Sequence, residues 1–208
     1  MPANPNSPNG FKFITMTEGV TPTYGTRYGM LNGGASGTGT QAIYQGDVLL
    51  PPSGGYFFPA STETGGGVAI GGIFDSCEWY SISQQKTVRQ NYWPGTPSDA
   101  NGDITIKFIA AVGSVFEVQC QTGPITQGNF GMYANFAVGT GTTHGANGVS
   151  GFTLDDSTLT NTAGSLPFRI YRLPVFGPST AQFATAGFDP TQQYNRVWVE
   201  IANLSSPA

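Results

Sequence analysis

The chain has 208 residues, enough for one large all-β domain or two small ones. Only 10% of them are charged, and the eight basic residues are scattered in a chain of net charge −4, which argues against a phosphate-holding patch and so against nucleic-acid binding. The 38% hydrophobic and 12% aromatic content excludes a disordered chain, and no run approaches the ~18–20 apolar residues that a membrane-spanning helix needs.

Thirty Gly and fifteen Pro leave a polar surface made mainly of Thr, Ser, Asn, Gln and Gly. Such a surface suits packing against proteins or sugars more than electrostatic steering. The N-terminus, M-P-A-N-P-N-S-P-N-G, lacks the basic start and apolar run of a signal peptide. A soluble protein made in the cytoplasm is expected.

Taken in order, residues 1–10 hold three Pro and three Asn and read as an extended arm that orders on docking. Residues 11–16 form the first strand-like alternation. Residues 31–41 are a Gly-rich surface loop flanked upstream by Tyr24 and Tyr28, with no Lys or helix to make it a phosphate loop. Residues 48–50 read as a strand halted by Pro51-Pro52. Residues 68–83 fit one bent strand or two, with Gly71-Gly72 at the bend. A turn at 84–86 leads to a return strand over 87–93.

The clearest pattern runs from Ile104 to Gln121. Ile104, Ile106 and Phe108 share one face, and Phe116, Val118 and Cys120 share another. A period of two marks half-buried strands. With Gly113-Ser114 between the arms, the segment predicts an antiparallel hairpin. Further strands are expected over 130–138, 152–159, 166–173 and 196–201. Nine or ten strand candidates without an amphipathic helix predict an antiparallel β-sandwich or barrel, a jelly roll being one such arrangement. The expected organisation is an arm and flexible loop over 1–40, one β domain over 41–204, and a polar tail over 205–208.

The order of several segments carries a resemblance. G-I-F-D-S-C-E-W (72–79), N-Y-W-P-G-T (91–96), I-K-F-I-A-A-V (106–112), V-F-E-V-Q (115–119), G-V-S-G-F-T-L-D (148–155), L-P-F-R-I-Y-R-L (166–173) and R-V-W-V-E-I-A-N-L (196–204) together resemble a group of tailed-bacteriophage virion proteins. The resemblance implies a capsid decoration or cement protein on the virion surface that binds the major capsid protein and braces neighbouring subunits. A homotrimer at three-fold positions fits such a shell. No catalytic residue, cofactor or metal is carried over, and no enzyme is expected. The residues expected to meet a partner are Phe11, Phe13, Tyr24, Tyr28 and Trp93.

Other residues have a bland reading beside a chemical one. His144, the single histidine, lies in a Gly/Thr-rich loop, and Ser150 misses the G-x-S-x-G elbow at its last position. Adjacent Asp155 and Asp156 point to opposite faces of a strand and suit a turn better than a metal or a carboxylate pair. Cys77 and Cys120 sit in apolar segments and read as buried thiols in preference to a disulfide. Trp79, Tyr80, Tyr92, Trp93 and Trp198 are the aromatics that an alternative reading, a carbohydrate-binding sandwich recognising host surface glycans, would use as stacking platforms.

Overall fold

The computed structural model describes residues 4–16, 26–32, 40–60, 69–110, 113–139, 148–174, 189 and 191–204. The chain is an all-β sandwich, as its turn-punctuated alternation predicts. In chain order its strands are β1 (Lys12–Met16), β2 (Thr26–Leu31), β3 (Ile43–Tyr44), β4 (Val48–Ser53), β5 (Tyr56–Pro59), β6 (Gly72–Ser81) and β7 (Lys86–Gln90). There follow β8 (Tyr92–Trp93), β9 (Ile104–Ile109), β10 (Ser114–Gln119), β11 (Tyr133–Ala137), β12 (Thr153–Thr160), β13 (Phe168–Arg172) and β14 (Arg196–Ile201).

Sheet one runs β1-β10-β14-β13-β11-β12. Sheet two runs β2-β9-β6-β4-β5, with β7 also on β6, and β3 pairs with β8. All the ladders between these strands are antiparallel. Pro51 and Pro52 fall where the β4–β5 register shifts between Leu50 and Ser53, so their missing N–H groups interrupt no regular pairing.

The expected 104–121 hairpin does not form. The faces are as read: Ile104, Ile106, Phe108, Phe116, Val118 and Cys120 are all buried. But β9 is bonded on both sides, to β2 and β6, and β10 on both sides, to β1 and β14. Neither strand has an edge left for the other. The segment crosses from sheet two to sheet one, and Gly113 enters β10 at φ +84, a left-handed geometry that favours glycine. Alternation reports which face is buried; it does not report which strand lies alongside.

Two cores result. The first lies between the sheets, where Phe116, Phe136, Phe168, Ile170, Val197 and Val199 of sheet one meet Val48, Ile73 and Ile109 of sheet two. The second lies within the curl of sheet two and holds Leu31, Leu49, Phe57, Phe74, Ile106 and Phe108 beside Trp79 and Trp93. The edge strands β2 and β5 approach across this curl without a ladder, so the barrel is not closed. Gly29 makes the approach feasible, since a Cβ there would stand 2.5 Å from the Phe57 ring. Cys77 and Cys120 are free, buried thiols in different cores, and burial pushes the Cys77 thiol up to about 12.

The packing does not follow a division at residue 41. Strands β1 and β2 precede it and supply one edge of each sheet. Phe11 enters the first core, its ring stacked 4.3 Å from Phe168 and edge-on to Phe116.

Candidate binding face

On the outer side of sheet one the registers lay a row of Lys12, Glu117, Trp198 and Arg172 across four strands. A second row holds Glu200, Arg169 and Tyr133. Arg196 pairs with Glu117 at 3.1 Å, and Arg169 pairs with Glu200. The Trp198 indole donates to Glu117 at 3.3 Å, and the Arg172 guanidinium caps its ring at 4.1 Å. Lys12, Arg169, Arg172 and Arg196, scattered in sequence, thus gather on one face. They are interleaved with acids and do not form a continuous track for phosphates.

The arm docks on this same side of its own chain. Asn4 donates from Nδ2 to the carbonyls of Asp189 (2.8 Å) and Gln193 (3.0 Å) and accepts from the Asp189 N–H at 2.8 Å. Gln119 donates to the Pro5 carbonyl at 2.7 Å, and Arg196 donates to Asn9 Oδ1 at 3.1 Å and to the Ser7 carbonyl at 3.3 Å. The Phe11 N–H then reaches the Gly46 carbonyl at 3.0 Å. From residue 4 onward, an arm that was expected to order only on docking is already ordered by its own domain. The Asn4 amide finds its partners in the backbone at Asp189 and Gln193, and the Pro5 and Ser7 carbonyls and Asn9 find theirs in Gln119 of β10 and Arg196 of β14, which Pro- and Asn-rich composition does not reveal.

The residues expected to meet a partner divide accordingly. Phe11 and Trp93 are corrected to core residues at 2% and 0% exposure, Trp93 packing edge-on to Trp79 at 4.9 Å. Phe13 is half-buried against Phe116. Tyr24 lies outside the described residues, as do His144 and most of the Gly-rich loop. Tyr28 is 74% exposed. Among the candidate sugar platforms, Trp79 and Trp93 are buried, Trp198 is half-buried beneath Arg172, and Tyr92 stacks on Tyr44. Tyr80 alone of these is exposed.

The remaining candidates serve the fold. Ser150 is fully buried and accepts from the Phe152 N–H at 3.2 Å. Asp155 accepts from the N–H and hydroxyl of Ser157, but it does so within β12, where the register against β11 shifts, and not in a turn between strands. Asp156 accepts from the N–H groups of Thr122 and Gly123 and from the Thr122 hydroxyl. Among the described residues no group of three or more His, Cys, Asp or Glu is placed to hold a metal ion.

Sequence reasoning missed Asp47. It is buried in the β3–β4 turn, where Oδ2 accepts from the Tyr44 N–H at 2.9 Å. Burial pushes its carboxyl up to about 7, against the opposing pull of Ser150 and the Tyr44 N–H. The neighbouring Gly46 carbonyl is the one that Phe11 binds, so this acid sits at the point where the arm is anchored.

Sheet two presents the contrasting face. Ile73 and Ile109 lie under sheet one. Further along the same strands the cover ends, and the outward residues are Thr105 and Lys107 of β9 with Ser76 and Glu78 of β6. Tyr28 of β2 stands directly opposite Lys107, and Arg89 of β7 opposite Glu78. These side chains surround a trough of about 520 Å³. Glu78 binds Arg89 at 2.6 Å, with 41% and 79% of their side chains exposed. Lys107 meets Asp75 at 3.7 Å.

Comparisons with protein-family models, with curated proteins and with solved structures give no match.

Proposed function

We propose that the protein is a virion structural protein that binds the outer surface of a phage capsid and stabilises contacts between neighbouring capsid subunits. Its partner is the major capsid protein, and a homotrimer is the assembly that best fits a three-fold site on a shell.

The supporting observation is how the acids are used. Of the twelve Asp and Glu side chains, Glu18 and Glu63 lie outside the described residues. Each of the other ten is bonded to a group of its own chain: Asp47, Asp75, Glu78, Asp99 and Asp103 in one half, and Glu117, Asp155, Asp156, Asp189 and Glu200 in the other. Polar side chains spent on turns, arm and ladders make a rigid scaffold, and a scaffold acts through its surface. The order of segments that resembles phage virion proteins supports the same reading. Many copies on one lattice would add avidity without strong single contacts.

Co-sedimentation of the purified protein with assembled capsid shells from the same source tests this. Saturable binding at a fixed number of copies per capsid subunit is expected. Absence of shell binding overturns the reading.

A further inference from the structure

We propose that the uncovered outer face of sheet two is a binding groove for a neutral oligosaccharide, with Tyr28 as its stacking platform.

The groove exists because sheet one covers only part of sheet two. Beyond Ile73 and Ile109 the outward residues face solvent, and the trough beside Tyr28 opens there. A second trough of about 470 Å³ shares Asn91 and begins at Asp75, next to Ser76 of the first. It runs on toward Phe13 and Val149 at the edge of sheet one. Together they form an elongated path, longer than a single sugar ring requires.

Its chemistry selects the ligand class. Glu78 with Arg89 and Lys107 with Asp75, which stands where the two troughs meet, are two ion pairs of zero net charge, so both cations beside Tyr28 are already countered by a carboxylate. Among the described residues the only further charge on the path is Lys12, at its far end. The same pairs present charged donors and acceptors side by side, and Ser76, Thr105 and Asn91 add hydroxyls and an amide. A polyol, whose every hydroxyl both donates and accepts, matches that mixture. The Tyr28 ring, 74% exposed, is a flat apolar surface held at the wall by β2. It fits the C–H face of a pyranose. Tyr80, 45% exposed, points from the same face of β6 two residues beyond Glu78, a second ring further along the sheet.

This groove was not among the platforms that the Trp residues suggest, since Tyr28 belongs to an edge strand 48 positions before Ser76 and meets it only through sheet pairing. It is independent of the shell-binding proposal: it is read on the purified chain alone, with no shell present.

The experiment is a binding screen of the full chain against immobilised neutral hexasaccharides of glucose, mannose, galactose and N-acetylglucosamine, with sialylated and sulfated glycans in the same array. Hits are titrated by calorimetry. At least one neutral oligosaccharide is expected to bind. Tyr28→Ala should weaken it about tenfold, Tyr28→Phe by less than about threefold because the ring remains, and Glu78→Gln measurably through the lost pair. No neutral hit at millimolar sugar, binding confined to the anionic glycans, or a neutral hit indifferent to Tyr28→Ala would each overturn the proposal.

Discussion

The outer faces of the two sheets use the same residue types, aromatic rings among Arg–Glu pairs, and reach opposite ends. On sheet one the Arg196–Glu117 pair is closed in, while Arg169 of the second pair keeps 43% of its side-chain exposure. Arg196 and Glu117 retain 13% and 14% of their side-chain exposure, Trp198 is capped by Arg172, and the arm covers the end of β10 and β14. On sheet two the pairs stand open, with Arg89 79% exposed and Tyr28 uncapped. What separates them is residues 4–11, which bring carbonyls and amides to the first face and, on the second, line only the far trough, leaving the trough beside Tyr28 untouched. The same chemistry is structural where the arm covers it and available to a ligand where it does not.

That contrast can be broken most forcefully at Phe11. Phe11→Ala removes a ring stacked on Phe168 in the first core and should cost about 3–5 kcal/mol in urea unfolding. Tyr28→Ala should stay within about 0.5 kcal/mol in the same assay. A near-neutral Phe11→Ala would mean that the arm is not part of the fold.

The next effect is in pH. The Asp47 carboxyl titrates near 7 in the folded protein, against 3.8 for an unperturbed group. The folded state therefore keeps a proton that the unfolded chain loses. This group's share of stability is fully present below about pH 4, falls as pH rises toward 7, and is gone above it. The loss is on the order of 4 kcal/mol at most. Asp47→Asn keeps an acceptor for the Tyr44 N–H and removes the titration, so its stability relative to wild type should rise between pH 4 and 7. Parallel urea midpoints for the two proteins across that window would contradict this.

Smaller still is a matched pair of substitutions on the two faces. Arg196→Met leaves Glu117 without its cation in a half-closed site and should cost about 2 kcal/mol. Arg89→Met breaks an open pair and should cost less than about 0.5 kcal/mol. Equal costs in chemical denaturation would erase the distinction between the faces.

The faces of β9 and β10 were legible in the sequence because alternation is local. Their partners were not, because both arms bury an apolar face whichever sheet they join. Phe11, next to a Pro-rich arm, and Trp93, beside Pro94, misled because a large ring suits an interface and a core equally; only their neighbours, Phe168 and Trp79, decide. The bond of Asp155 to its own stretch of chain was legible since its partner, Ser157, is two positions away, although both lie within β12 and not in a turn. The groove was illegible because residues 28, 76–78, 89–91 and 105–107 meet only through pairing in sheet two.

Hydrogen–deuterium exchange of the free protein tests most directly whether the arm is part of the fold. The Phe11 N–H is bonded to Gly46, and β1 is paired to β10. Slow exchange of the bonded amides in residues 11–16, comparable with that of β10, is predicted with no partner present. Exchange of those amides at the rate of an unfolded chain, with protection gained only on capsid shells, would show that the arm orders on docking and would contradict the account.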